Sequence, residues 1–369
     1  MRASVLALLL IACGSTLPAP YTSARDAAER AYERRDYRAA ARHWREARER
    51  APTAHERDEA EYREAASLER AGDEPAADAL YAGIERHGGE RGERAAYARA
   101  EIAERKTAET ASLSQLRAAV VRFPNSGLAR QGAARFVERE AELGGDERAL
   151  AAIDALLTEI RGSEVEESLL YARAQRLERL KREDEAREAY LELARRFPYP
   201  RGALWDDALL AAARSYERAG RHDRALDCLR ALLDQREESR LNGSYERSAY
   251  AEARFLMAEI FRDGLNDPVR ARATFRRVWQ DHPTSRLRDD ALFEEALIAL
   301  RSGDVEGACV PARLLREKEP DSRYVGCVTA LCPSSNTGAK ECRAYLKERI
   351  DEARSRLTST EAHSSSSSR

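Results

Sequence analysis

The stretch Leu292-Phe293-Glu294-Glu295-Ala296-Leu297-Ile298-Ala299-Leu300-Arg301-Ser302-Gly303-Asp304-Val305-Glu306-Gly307-Ala308-Cys309-Val310-Pro311-Ala312-Arg313-Leu314-Leu315 holds two apolar runs separated by a Gly-Asp pair, with Pro320 shortly beyond. On both sides of Gly303-Asp304 the apolar residues recur at three- and four-residue spacings, as on one face of a helix. Glycine and aspartate between such runs mark a reversal, and a proline after the second run stops it. The unit is therefore helix, turn, helix, stop. Ala296 and Ala308 stand where the two helices cross, because a methyl group lets the backbones approach closely.

Along the whole chain small residues recur at Ala40, Ala77, Ser112, Ala149, Ala186, Ala225, Ala271 and Ala308, with steps of 37, 35, 37, 37, 39, 46 and 37 residues. A period in this range marks stacked supersecondary units, and it replaces the two or three globular domains that 369 residues would suggest with one elongated array. Each of these residues is taken as position 20 of its unit. Leu170, Ala174, Leu177, Tyr190, Leu193 and Pro198 around Ala186 repeat the phase, as do Leu209, Ala213, Tyr216, Leu229 and Leu232 around Ala225. Reversals are marked by Arg35-Asp36, Gly72-Asp73, Gly144-Gly145-Asp146, Gly220 and Gly303-Asp304. Pro52, Pro124, Pro198, Pro283 and Pro320 fall at one phase in five units. The third unit lacks a glycine turn near Thr107, and Phe136 and Val137 crowd the small-residue position of the fourth. The 46-residue step carries extra chain from Gln235 to Ser248, expected as an exposed loop or hinge.

This pattern resembles the tetratricopeptide repeat, whose two helices need bulk at position 4, small residues at 8 and 20, and a proline stop at 32. The resemblance implies an all-α, right-handed superhelical solenoid of about eight helix-turn-helix repeats over residues 24–320. A cysteine-containing helical cap is expected over 321–357, and the Ser-rich residues 358–369 are expected to be a disordered tail. In that family helix A lines the concave surface, mainly through positions 2, 5, 9 and 12. Position 5 is Tyr62, Tyr97, Ala134, Tyr171, Leu210 and Phe293 in repeats two to six and eight, and Phe255, one residue short of the count from Ala271, is assigned to it in repeat seven. Five aromatic residues at one position fit a stripe along a groove that buries the side chains of an extended peptide. They fit equally a role as core between neighbouring repeats. Arg94 and Arg214 fall on the same surface. No repeat carries the Lys at position 5 or the Asn at position 9 with which chaperone-binding repeats hold a terminal carboxylate.

The N-terminus carries a second pattern. Arg2 precedes an uncharged apolar run, Ala3 to Ala12, too short to span a bilayer and typical of a secretory signal. The run ends Leu10-Ile11-Ala12-Cys13-Gly14, which resembles the lipobox of bacterial lipoproteins. The resemblance implies removal of residues 1–12, lipidation of Cys13 and a tether over 13–23; an ordinary cleaved signal with an incidental cysteine is the alternative. Gly14 in place of Asp implies the outer membrane, with the body on its periplasmic face. The junctions Arg122-Phe123-Pro124-Asn125-Ser126, Arg196-Phe197-Pro198-Tyr199-Pro200 and Asp281-His282-Pro283-Thr284-Ser285 resemble those of periplasmic tetratricopeptide lipoproteins of outer-membrane β-barrel assembly. A non-enzymatic scaffold for protein or peptide partners is implied. The alternatives are an adaptor of a secretion, motility or polysaccharide-export complex, or an accessory to murein-processing enzymes.

Composition agrees with such a role. Charged residues make up 35% of the chain, acids and bases are interspersed, and the formal net charge is −2, so no basic footprint for nucleic acid is present. The six histidines form no HxxxH pair, and the chain has neither a GxSxG elbow nor a Walker loop. Gly88-Gly89-Glu90-Arg91-Gly92 lies between expected helices and reads as a turn. No cofactor is expected. Beyond Cys13, Cys309, Cys327, Cys332 and Cys342 crowd into the C-terminal region, and an exported chain would oxidise suitable pairs. Of the three possible pairings, Cys332–Cys342 with Cys309–Cys327 is favoured, leaving Cys228 as a buried thiol. The spacing lacks CxxC pairs and a nearby histidine, so no metal is expected.

Overall fold

A computed structural model describes residues 17–106, 109–235, 247–335 and 341–366. The described elements are all helices and turns. Repeat one comprises α1 (Ala19–Glu33) and α2 (Tyr37–Glu49), repeat two α3 (Ala54–Arg70) and α4 (Glu74–His87), and repeat three α5 (Gly89–Lys106) and α6 (Glu109–Arg122). Both helices of repeat four lie in α7 (Ala129–Glu159), which a kink at Gly144 and Gly145 divides. Repeat five comprises α8 (Glu166–Arg179) and α9 (Glu183–Arg196), and repeat six α10 (Trp205–Arg218) and α11 (His222–Asp234). In repeat seven, α12 (Ser248–Glu259) continues into a π-turn (Ile260–Gly264) before α13 (Pro268–Asp281). Repeat eight is α14 (Arg288–Arg301) and α15 (Val305–Lys318); a 3₁₀ turn (Val325–Cys327), α16 (Val328–Leu331) and α17 (Ala344–Ser366) follow. The array divides into two compact units, Met1–Leu169 and Leu170–Arg369.

The alanines at position 20 are all buried, as is Ser112. So are the residues that face them at position 8: Ala28, Ala65, Ala100, Val137, Ala174, Ala213 and Ala296. In repeat seven a count back from Ala271 lands on Glu259, but the π-turn takes up one extra residue and Ala258 is the buried one. The turn between helices A and B has one recurring geometry. Its pivot is left-handed, with φ of 81° at Gly72 and 78° at Gly303. Arg35, Lys181 and Asn266 adopt the same conformation at the same position, with φ of 62°, 60° and 49°. In repeat two the amide of Gly72 donates to the Glu69 carbonyl (3.0 Å) and that of Asp73 to the Leu68 carbonyl (2.9 Å). This pairing satisfies carbonyls that the helix end would leave open. The next helix then starts on an aspartate, whose carboxylate accepts an amide three residues on: Asp36 from Ala39, Asp73 from Ala76 and Asp304 from Gly307.

Neighbouring repeats are also tied by charge. Glu64, fully buried on α3, receives Arg45 (2.8 Å) and Arg48 (3.3 Å) from α2. Glu295 on α14 takes both arms of Arg276 on α13 at 2.7 Å. A buried carboxylate is tolerated only when paired in this way.

The C-terminal region departs from expectation. The disulfides are Cys309–Cys332 and Cys327–Cys342, with Cα separations of 4.7 and 4.4 Å, not Cys332–Cys342 and Cys309–Cys327. The reason is the short helix between them: α16 lies along α15 and carries Cys332 to Cys309, while Cys327, at its other end, meets the chain as it returns at Cys342. Helix α17 runs to Ser366, through most of the segment expected to be disordered, since extending an established helix gains one hydrogen bond per residue. Cys13 and the signal segment lie outside the described residues, as do 236–246 of the insertion and 336–340. Among the described residues no helix is long and apolar enough to cross a membrane.

Candidate functional site

Helix A positions separated by three, four and seven residues share one face. In the first unit this face forms a groove of about 830 Å³, lined among others by Tyr62 and Glu69 of α3, Arg94 and Tyr97 of α5, and Gln131 of α7. Half-buried Tyr62 packs on Tyr81 of α4, ring centroids 5.7 Å apart, and the Arg91 guanidinium covers it at 5.3 Å. The Tyr81 hydroxyl donates to Glu69 (3.2 Å), and Arg105 donates to Glu69 (2.8 Å) and Glu74 (2.7 Å). Tyr97 is only 7% exposed, and its hydroxyl is buried without a hydrogen-bond partner. Its ring rests on Gly132, where a Cβ would come within 2.5 Å of Tyr97 Cε1. Burial pushes the phenols of Tyr62, Tyr81 and Tyr97 above their ordinary range, so all three stay neutral. Arg94, also on the wall, pairs with Glu90 at 2.8 Å.

The second unit has a groove of about 530 Å³ over α12, with Ala251, Phe255, Leu256 and Leu287 on its walls. Phe255 packs edge-on against Phe275 of α13, centroids 5.1 Å apart. Arg214 and Glu252 join across the rim at 2.5 Å. Burial, followed by the opposing pull of Arg262, acts on the Glu259 carboxyl at the margin, and the net shift is upward.

The position-5 aromatics thus fall into three situations. Tyr62 and Tyr97 come together in the first groove, and Phe255 lines the second. Tyr171, half-buried, packs on Tyr190 with centroids 5.5 Å apart. Phe293 is fully buried and unavailable to a partner: it stacks on Tyr324 at 4.2 Å beneath Arg349 of α17. A second ring of the same repeat supports position 5 in three cases, Tyr62–Tyr81, Tyr171–Tyr190 and Phe255–Phe275. Their sequence separations of 19, 19 and 20 residues carry the signal that position-by-position reading missed; the extra residue belongs to the π-turn. Repeat five also reproduces the polar frame of repeat two. Tyr190 donates to Glu178 at 3.2 Å, and Arg218 reaches Glu178 at 2.6 Å and Glu183 at 3.5 Å.

Among the described residues no group of three or more His, Cys, Asp or Glu is placed to hold a metal ion. Cys228 is a buried thiol whose pKa desolvation pushes up to about 11, which leaves it protonated and unreactive.

No curated protein matches the chain. Solved structures that align with the chain include the C-terminal part of a TPR repeat-containing protein from Cytophaga hutchinsonii, at 14% identity and a TM-score of 0.42, covering 72% of this chain and 97% of that one. The apo form of RapI aligns at 13% identity with a TM-score of 0.43, over 92% of this chain and 98% of that one. A human IFIT1 dimer with m7Gppp-AAAA aligns at 15% identity with a TM-score of 0.29, over 91% and 64%. The tetratricopeptide-repeat family model matches residues 207–239 and 252–285, which cover repeats six and seven. With the alanine phase, the paired helices and the left-handed pivot in place, the chain is a carrier of tetratricopeptide repeats.

Proposed function

We propose that the protein is a non-enzymatic scaffold that holds protein or peptide segments along the concave faces of its A helices. The observation that carries this reading is the pair of grooves built from the same helix A positions, one over α3 and α5 and one over α12. Interspersed charge and a net charge of −2 favour protein over nucleic acid as partner. In this reading Cys13 is lipidated and anchors the chain at the periplasmic face of the outer membrane, in the assembly of outer-membrane proteins. Two disulfides in the C-terminal region support an oxidising compartment.

A photo-crosslinking side chain placed at Arg94 or at Phe255 tests the scaffold. Adducts with subunits of the outer-membrane assembly machinery, absent when the crosslinker replaces exposed Val269, are expected; adducts with an export apparatus would displace the process and keep the scaffold. Equal labelling from all three positions would sink the groove assignment. Metabolic palmitate labelling should be lost in Cys13→Ser, and its retention would remove the anchor.

A further inference from the structure

Repeat eight treats its concave face differently from the other seven. With repeat seven read through its π-turn, no residue at positions 9 and 12 of repeats one to seven is buried. In repeat eight the same positions are Leu297 and Leu300, and with Phe293 at position 5 they are 0% exposed. All ten residues from Ala291 to Leu300 are buried, on every side of α14. The cover comes from the chain's own C-terminal region: Leu346, Ile350 and Ala353 of α17 share one apolar cluster with Phe293, Leu297 and Leu300. Arg349 lies over the Phe293 ring at 5.3 Å and donates to Glu294 at 2.7 Å.

Helix α17 is not simply the next helix of the stack. A following helix A packs on the preceding helix B, as α3 does on α2, α5 on α4 and α14 on α13. Against α15 that place is taken by α16 and the 3₁₀ turn, whereas α17 rests mainly on α14, a helix A. Its hold is slight. From Ala344 to Ser355 only Leu346, Ile350 and Ala353 are buried, and the opposite face, with Lys347, Glu348, Asp351 and Glu352, is exposed. A helix covered along one face opens before one buried on every side, as α14 is. The Cys327–Cys342 disulfide, just before α17, would keep a released helix on a leash.

We propose that the concave face of repeat eight is a helix-binding site that the chain fills with its own α17. The external ligand would be an amphipathic helix with apolar side chains at i, i+4 and i+7 and a base at i+3, the pattern of Leu346, Arg349, Ile350 and Ala353. The proposal rests on the reading that concave faces hold partner segments, but it concerns repeat eight alone, and α17 itself supplies the probe.

The test uses the full chain and a fluorescent synthetic peptide of residues 343–357. Leu346→Asp with Ile350→Asp should free the site. That variant should bind the peptide saturably and at least about tenfold more tightly than the wild type, whose site is occupied. Adding Leu297→Asp should abolish the binding. A variant with the wild-type circular dichroism of the repeats that binds no better than the wild type overturns the proposal. Should the variant not fold, hydrogen exchange on the wild type decides. Amides of α17 exchanging at least about tenfold faster than those of α14 support release, and equal protection overturns it. Neither result touches crosslinking from Arg94 or Phe255, so loss of this proposal and loss of the scaffold reading remain distinguishable.

Discussion

The two grooves start from the same element and diverge in what surrounds it. Each is built on a position-5 ring supported by a second ring of its own repeat, Tyr62 on Tyr81 and Phe255 on Phe275. Around Tyr62 the walls carry Glu69, Arg94, Arg105 and Arg135, all of them in ion pairs. Around Phe255 they carry Ala251, Leu256 and Leu287, with ion-paired residues at the rim: Arg214 with Glu252, Arg247 with Asp206 and Glu259 with Arg262. The ring pair and the buried alanines hold the hairpin together and leave little freedom. In repeats one to seven, with the π-turn allowed for, no residue at positions 2, 9 and 12 is buried, so these positions can carry different chemistry in each groove. The first groove therefore suits a segment with polar and charged side chains, and the second an apolar one.

The grooves differ most at Tyr97 and Phe255. Tyr97 is nearly as buried as a core residue, so Tyr97→Ala should cost the first unit about 3 kcal/mol, while half-buried Phe255→Ala should cost the second about 1–2 kcal/mol. Scanning calorimetry gives both values. An unchanged melting temperature for Tyr97→Ala would make that ring purely a groove residue and the two grooves equivalent. Next comes Gly132→Ala. A Cβ 2.5 Å from the Tyr97 ring must push it aside, at about 1–3 kcal/mol. The same change in a Tyr97→Leu background should cost much less, and a double-mutant cycle without coupling would show that the ring does not rest on Gly132.

What the sequence made legible was the contact every repeat must make. Ala40, Ala77 and Ala308 are buried because two helix backbones cross there, a requirement independent of neighbours. The aspartates after the turns were legible for a similar reason, since a helix start needs a local acceptor. Features set by distant chain were not. The π-turn in repeat seven moves one residue in the count, as buried Ala258 and the packing of Phe255 on Phe275 reveal. The disulfide partners depend on where α16 lies, which no loop length encodes. Phe293 carries the same position number as Tyr62, yet α17 covers it, and nothing in the repeat phase announces that helix.

The turn offers a smaller comparison of the same kind. Gly72 in repeat two and Lys181 in repeat five occupy one left-handed pivot, with φ of 81° and 60°. A side chain there brings Cβ against the following carbonyl, whereas glycine adopts the conformation freely. Lys181→Gly should therefore stabilise the second unit, and Gly72→Lys should destabilise the first, each by about 1 kcal/mol in denaturant unfolding. Two changes of the same sign would mean that the two turns are held by different contacts.

The smallest effect separates the acids of the two grooves. Glu69 accepts hydrogen bonds from Tyr81 and Arg105, so Glu69→Gln, which weakens that acceptor, should lower the melting temperature of the first unit at pH 7. Glu259 is the opposite case. Burial raises its carboxyl above the ordinary value, with Asp263 and Glu294 adding to the rise and Arg262 opposing it. The folded state then holds the proton more tightly than the unfolded state. Stability contributed by this group falls as pH rises from the unfolded carboxyl value through the raised one, and the loss is complete above that. Glu259→Gln removes the penalty, so it should raise the melting temperature at pH 7 and do little near pH 4, where the carboxyl is largely protonated already. A lower melting temperature at pH 7 would mean that attraction to Arg262, 3.9 Å away, outweighs burial, and the rim of the apolar groove would then be electrostatically like the polar one.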